Sequence, residues 1–274
     1  MPGPDAITCG QLLSLIGTAD CPAIGDISTG PDFAEDPVLI PGSVRHPHTD
    51  ASGLLSRLAG RRCVVACQLG LKLSQGMAAW LRAQWIAAEY LEGGIYAWRE
   101  HPGAPRIPAA AIPRPGPAAQ RSPGTLWVTR HRPMIDRIAC PWLIHRFVNP
   151  GARVLFVSPS EVMGVADRYG ATAFDAPGAE WWHEGELCTF DAMLDRFALR
   201  IEALDHVSVV VRAAHTNRHD LAPEAAGLLA ISVGLSRQHR DDLAQLEAGI
   251  ILYNALYRWA RDGAEETHDD GHHG

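Results

Sequence analysis

The sequence predicts an N-terminal α/β unit, a parallel sheet with helices on both faces, followed by a helix-rich α+β unit. Three observations lead there. Short apolar runs alternate with helical patterns as far as about residue 103, the signature of repeated βα units. Seven of the 20 prolines crowd between Pro102 and Pro123, a stretch unable to hold a helix or a central strand. Beyond it helical periodicity dominates and strand-like runs are few. The divisions implied are residues 1–103, a linker at 104–123, a second unit at 124–262 and a polar tail at 263–274.

Each element has its own signal. Thr8 is placed to cap a helix through Leu12, Leu13 and Ile16, and residues 23–27 read as a short buried strand. Residues 39–44 carry a Pro-Gly turn, and residues 54–58 form a helical turn. Residues 62–67 are a near-continuous apolar run, the kind buried on both faces of a parallel sheet. Residues 74–83 are amphipathic, 87–91 are strand-like, and Gly93-Gly94 turns into a helix at 96–100. In the second half, 126–129 and 154–157 are strand-like. Asp136 opens a helix through Ile138, Trp142, Leu143 and Phe147, stopped by Asn149-Pro150-Gly151. Pro141 should kink that helix or sit in its first turn. Thr189 is expected to cap a helix through Phe190, Met193, Leu194 and Phe197. Residues 224–235 are apolar nearly all round, which predicts a buried helix. Leu243, Leu246, Ile250, Tyr253 and Tyr257 mark a long amphipathic final one.

Composition narrows the function. A net charge of -7 disfavours nucleic acid or an anionic membrane surface as the main partner. No apolar run approaches the roughly 18 residues of a membrane span. The first residues lack the basic-then-apolar pattern of a secretory signal, so a cytoplasmic location is expected. Six cysteines without a CxxC pair exclude a zinc ribbon and argue against a disulfide framework.

The most informative segment is VVACQLGLKLSQGMAAWLR. A buried strand ends at Cys67 and a helix begins a few residues later, so the loop Cys67-Gln68-Leu69-Gly70-Leu71-Lys72 joins a strand C-terminus to a helix N-terminus. Unpaired backbone N–H groups there favour an anion, a thiolate included. Gly70 lets the backbone curl so that successive N–H groups point inward. Lys72, the chain's one lysine, adds a mobile cation. The alternative is a buried cysteine that merely closes a strand.

With these residues in place, the N-terminal unit resembles a rhodanese domain, whose active loop reads Cys-x-x-Gly-x-Arg/Lys. Asp26-Ile27-Ser28, Ile40-Pro41-Gly42-Ser43 and Leu91-Glu92-Gly93-Gly94-Ile95-Tyr96-Ala97-Trp98 match the other motifs of that family in order. Ser28 departs from the family's usual arginine, and Leu71 from its small or polar loop residue. The resemblance implies sulfur transfer without a cofactor: Cys67 as nucleophile, Lys72 holding the donor's charge, and Gln68, Leu69, Gly70 and Leu71 lining the substrate. Its partners would be a small anionic sulfur donor and a thiol acceptor.

The second half holds other polar groups. Arg130, Arg132 and Arg137 gather before its first helix, a set suited to an oxyanion ligand. His183, Asp191, His215, His219 and Asp220 offer mixed nitrogen and oxygen donors that would suit a divalent ion such as Mn, Fe or Zn. No pair shows a strict ligand spacing, and the alternative is an arginine–carboxylate lattice.

This half is similar to the C-terminal domain of the chromate-resistance protein B family. The matching blocks are Trp127-Val128-Thr129-Arg130, Ile135-Asp136-Arg137-Ile138-Ala139-Cys140-Pro141-Trp142-Leu143-Ile144, Phe174-Asp175-Ala176-Pro177-Gly178-Ala179-Glu180, Cys188-Thr189-Phe190-Asp191 and Arg218-His219-Asp220-Leu221. His215 stands where an acidic residue is expected. The leading expectation is a sulfurtransferase joined to a chromate-resistance-type domain, in thiol-linked detoxification or oxyanion handling. The rivals are a metal-dependent enzyme seated in the second half and a non-enzymatic chromate or oxyanion sensor. A homodimer is compatible with each.

Overall fold

The computed structural model describes residues 3, 5–58, 60–114, 124–183, 185–264 and 266. Residues 115–123 of the expected linker and nearly all of the expected tail lie outside the described residues.

The N-terminal unit runs β1 (Ala6–Ile7), α1 (Cys9–Leu15), β2 (Ala23–Asp26), α2 (Gly30–Glu35), β3 (Val38–Leu39), β4 (Ser43–Arg45), α3 (Ala51–Leu58), β5 (Cys63–Ala66), α4 (Lys72–Ala83), β6 (Ala88–Leu91), α5 (Gly94–Glu100) and β7 (Ile107–Pro108). Thr8 caps α1 as expected, in a reciprocal box with Gln11 that satisfies two backbone donors. The main sheet has the order β1-β6-β5-β2-β4, and each of its pairings is parallel. Alternation along β5 explains why it reads as a continuous apolar run. Val64 and Ala66 pack toward Leu12, Ile95 and Trp98, while Cys63 and Val65 pack toward Leu54, Ala78 and Leu81.

The second unit runs β8 (Leu126–Arg130), α6 (Asp136–Leu143), β9 (Arg153–Val157), α7 (Val162–Tyr169), β10 (Thr172–Ala173), α8 (Thr189–Arg196), α9 (Glu202–Thr216), α10 (Glu224–Gln238) and α11 (Asp242–Asp262). Its small sheet, β10-β8-β9, is parallel, with β8 in the centre. Pro141 lies inside α6, and its missing N–H leaves a gap in the ladder. The next turn, Ile144–Val148, widens to π-helical spacing.

Three expectations change. The proline-rich segment is not wholly a spacer: β7 pairs antiparallel with β3, and Trp98 Nε1 donates to the Pro105 carbonyl at 3.0 Å. This part of it is pinned to the first unit by backbone bonds that sequence periodicity does not reveal. Cys188, not Thr189, is the cap of α8, and Thr189 is its first helical residue. The helix α10 is not buried all round. Ala225, Leu228, Ser232 and Ser236 face inward, whereas Ile231 and Val233 are exposed, because α9 and α11 cover one side only.

The two units share one apolar core. Trp142, Phe147 and Tyr257 of the second unit cluster with Leu12, Ile16, Ile95 and Trp98 of the first. Arg261 Nη1 donates to the Ser14 carbonyl at 2.7 Å, and the Gly42 N–H donates to the Phe147 carbonyl.

Candidate functional site

Cys67 follows the central strand of the five-stranded sheet, at the carboxyl end where open α/β sheets bind ligands. It is 4% exposed, and its Sγ lies 3.2 Å from the Ser74 hydroxyl, which itself donates to the Leu71 carbonyl at 3.3 Å. In the thiol form Cys67 donates to Ser74; in the thiolate form the hydroxyl is placed to turn and donate back.

Two contacts clamp the loop. At the start of α5, Ile95 N–H donates to the Cys67 carbonyl at 3.0 Å and Tyr96 N–H to the Gln68 carbonyl at 3.1 Å. With these carbonyls drawn outward, the loop's amides are left free. Among the described residues, no backbone N–H from Gln68 to Ser74 has a protein acceptor. Gly70 takes φ +66° and Gly94 φ +62°. A Cβ on Gly94 would fall on the Cys67 carbonyl and the Gly70 nitrogen, so Gly94→Ala forces the loop off its clamp. We expect this variant to lose most reactivity at Cys67 while the rest of the sheet persists, measured as thiol alkylation rate against far-ultraviolet circular dichroism.

Lys72 is exposed at the first position of α4. Gln68 Nε2 donates to Glu35 Oε2 at 3.2 Å and to the Tyr96 hydroxyl at 2.9 Å, and Gln75 Nε2 donates to the Gly70 carbonyl at 3.1 Å. Of the five loop positions singled out in the sequence, Gln68 and Gly70 are tied by these bonds to α5 and α4, while Leu69, Leu71 and Lys72 are exposed. Burial pushes the Cys63 and Cys21 thiols up to about 11, so neither competes as a nucleophile near neutral pH.

Three supporting residues carry no local sequence signal. Ser74 and Gln75 look like ordinary helix residues, yet both tie the loop to α4. Arg45 supplies the guanidinium that Ser28 lacks. It donates to the Ser28 carbonyl at 3.1 Å, lies 4.0 Å from Asp26 Oδ2 and sits 3.7 Å above the Phe33 ring. Ser28 closes the arrangement through Asp26 Oδ1 at 2.6 Å.

The second unit holds a buried arginine–aspartate centre. Arg130 Nη2 donates to Asp175 Oδ2 at 2.9 Å, Arg137 Nη1 lies 3.8 Å from the same oxygen, and the Thr189 hydroxyl donates to Asp175 Oδ1 at 3.2 Å. Beside it, Asp136 is fully buried. Its Oδ2 accepts the Thr189 N–H at 2.9 Å and lies 3.9 Å from His215 Nδ1, while its Oδ1 has no partner. Burial pushes the Asp136 carboxyl up to about 6, with His215 pulling down and Asp175 adding to the rise. Backbone strain flanks the centre at Ile135, φ +50°, a conformation that a β-branched residue adopts only under tertiary constraint. Tyr253 donates to its carbonyl at 3.1 Å.

Two expectations about this unit are corrected. The three arginines do not converge: Arg132 turns away to the Ser236 and His239 carbonyls, so Arg130 and Arg137 alone meet at Asp175. Nor do the five metal candidates come together, and no group of three or more such ligands occurs among the described residues. Arg212 neutralises Asp191 at 2.9 Å, Arg218 neutralises Asp220 at 2.8 Å, and His183 lies tilted against Trp182. His215 alone reaches the centre, on Asp136. Arginines pair Asp175, Asp191 and Asp220, because guanidinium groups lie within reach of each, whereas Asp136 has none among the described residues. A cleft lined by Ile24, Val44, Leu54, Leu58, Asn149 and Gly151 opens where the units meet, away from Cys67.

Fold and sites together define a two-part protein, a parallel α/β unit with a thiol loop joined to a helix-rich domain with a buried arginine–aspartate centre. Residues 127–260 match the family model described as the ChrB C-terminal domain. Protein ChrB of Cupriavidus metallidurans is 33% identical over 158 residues, covering 57% of this chain and 46% of that protein. The chain therefore spans just under half the length of this curated relative. Among solved structures, a rhodanese-like domain protein from Staphylococcus aureus is similar at 24% identity and a TM-score of 0.31, covering 34% of this chain and 90% of its own. A thiosulfate sulfurtransferase from Pseudomonas aeruginosa is similar at 26% identity and a TM-score of 0.31, covering 38% of this chain and 19% of its own. No described helix is long and apolar enough to cross a membrane.

Proposed function

We propose that the protein is a rhodanese-type sulfurtransferase acting through a Cys67 persulfide, fused to a ChrB-type domain that serves chromate or oxyanion resistance. The observation that carries this reading is the run of amides from Gln68 to Ser74, unpaired among the described residues, in the loop that follows Cys67, a set of donors able to hold an anion. After the thiol proton leaves to solvent, Cys67 Sγ attacks the outer sulfur of a donor such as thiosulfate. The new S–S bond forms as the donor's S–S bond breaks, and sulfite leaves with the bonding pair. The amides hold the terminal persulfide anion. A nucleophilic acceptor then takes that sulfur, and the Cys67 thiolate departs with the bonding pair.

Incubation of the full chain with thiosulfate should add one sulfur atom per protein, mapped by mass spectrometry to the Cys67 peptide and removed by cyanide. No adduct, or one on another cysteine, overturns the reading. Lys72→Ala is expected to raise the thiosulfate KM about tenfold with little change in kcat, since it removes charge recognition and leaves the nucleophile. An unchanged KM would show that the amides bind the donor without it.

A further inference from the structure

We propose that the cleft where the two units meet binds a small organic carboxylate, one ring or branched chain bearing a single anionic head. Its volume is about 160 Å3, close to the roughly 150 Å3 that accepts one benzene-sized body. One wall is apolar, made by Ile24 of β2, Val44 of the edge strand β4, and Leu54 and Leu58 of α3. The other comes from the second unit, through Gly124 and Asn149-Pro150-Gly151. The space therefore exists only because the second unit closes against the edge of the first sheet.

The polar groups of the cleft lie toward the two ends of α3. Arg57, in its last turn, and Arg61, just beyond it, both line the cleft and are exposed. Among the described residues neither guanidinium has a hydrogen-bond or ion-pair partner, and no acid lines the cleft. Arg146 of the second unit adds to the positive charge here: burial lowers its pKa, and the charge of Arg61 presses the same way. Near the start of α3, His46 also lines the cleft. Its Nε2 donates to the Asp50 carbonyl at 2.6 Å, and its buried Nδ1 has no partner among the described residues. A wholly apolar ligand would leave the arginines unanswered, and a bare anion would leave the apolar wall wet. A carboxylate on a small apolar body meets both. The cleft lies away from Cys67, so its ligand takes no part in sulfur transfer there.

Titration of the full chain, labelled with carbon-13 at the isoleucine, leucine and valine methyls, tests this with benzoate, acetate and benzyl alcohol. Benzoate should shift the Ile24, Val44, Leu54 and Leu58 signals saturably, through the ring current of the bound ligand. It should bind at least about tenfold more tightly than acetate, the gain expected from burying roughly 55 Å2 of apolar surface. Benzyl alcohol, a ring without the charge, should bind about tenfold more weakly than benzoate. In Arg57→Ala/Arg61→Ala the benzoate affinity should fall about tenfold, with an unchanged ligand-free methyl spectrum showing that the cleft has kept its shape. Val44→Phe fills the space from the edge strand and should remove binding of both ring compounds. Benzoate that shifts only methyls elsewhere, or shifts none, overturns the proposal. So does acetate binding as tightly as benzoate, or a double arginine variant that binds benzoate like the parent.

Discussion

Cys67→Ser is expected to abolish persulfide formation and thiosulfate:cyanide transfer, with residual turnover at least a thousandfold below that of the parent. Serine is nearly isosteric, and its hydroxyl keeps a hydrogen bond to Ser74, so the loop and its clamp at α5 should persist. What disappears is the thiolate, since a serine hydroxyl is not ionised near neutral pH and has no adjacent base here to activate it. Rescue by another thiol is not available: the Cys140 and Cys188 thiols are pushed well above the ordinary range by burial and by neighbouring carboxylates. Steady-state cyanolysis and intact-mass analysis of the variant check the point together. Wild-type turnover in a folded Cys67→Ser protein would end the case for this loop as the reacting centre.

Asp136→Asn is expected to stabilise the protein at alkaline pH, an unusual direction for a change in a buried polar cluster. The folded-state carboxyl is raised to about 6, above its ordinary value, so between about pH 4 and pH 6 the folded chain binds more proton than the unfolded one. Stability contributed by this group is therefore complete in acid and is lost as pH rises through about 6. Above that, an ionised carboxylate sits buried with one oxygen unpartnered. Asparagine keeps an acceptor for the Thr189 N–H and removes the charge, so a gain of about 3 kcal/mol is expected at pH 8, falling away toward pH 4. Thermal unfolding of both proteins from pH 4 to pH 8 measures it; parallel curves would mean that Asp136 is not held in the raised state. A protein that keeps such an acid has traded stability for something, and the strained Ile135 beside it points the same way.

Much of the thiol loop was legible because its causes are local. An apolar strand ending in Cys67, a glycine that must take positive φ, and a cation at the next helix start are adjacent in the chain, and backbone sterics dictate how they sit. The Gly93-Gly94 motif was legible as a turn but not as the clamp on the Cys67 and Gln68 carbonyls, since that contact joins residues more than 25 apart in sequence. Arg45 was invisible for the same reason, as nothing near it in sequence marks it as the partner of Asp26 and Ser28. In the second unit, composition pointed to unsatisfied acids and histidines and suggested a metal. The outcome turned on which guanidinium stands within hydrogen-bond reach of which carboxylate.

Period and punctuation along the chain thus determined the main helices and strands, the parallel sheet and the thiol loop, because these are set by forces acting within a few residues, whereas α2, α7 and α9 emerged only in the structure. Tertiary structure alone decided that both units share one core, that α10 keeps an apolar side uncovered, and that Arg132 turns away while Arg130 and Arg137 close on Asp175. Those outcomes depend on which distant surfaces meet, and on pairing each buried charge with the partner that packing brings nearest.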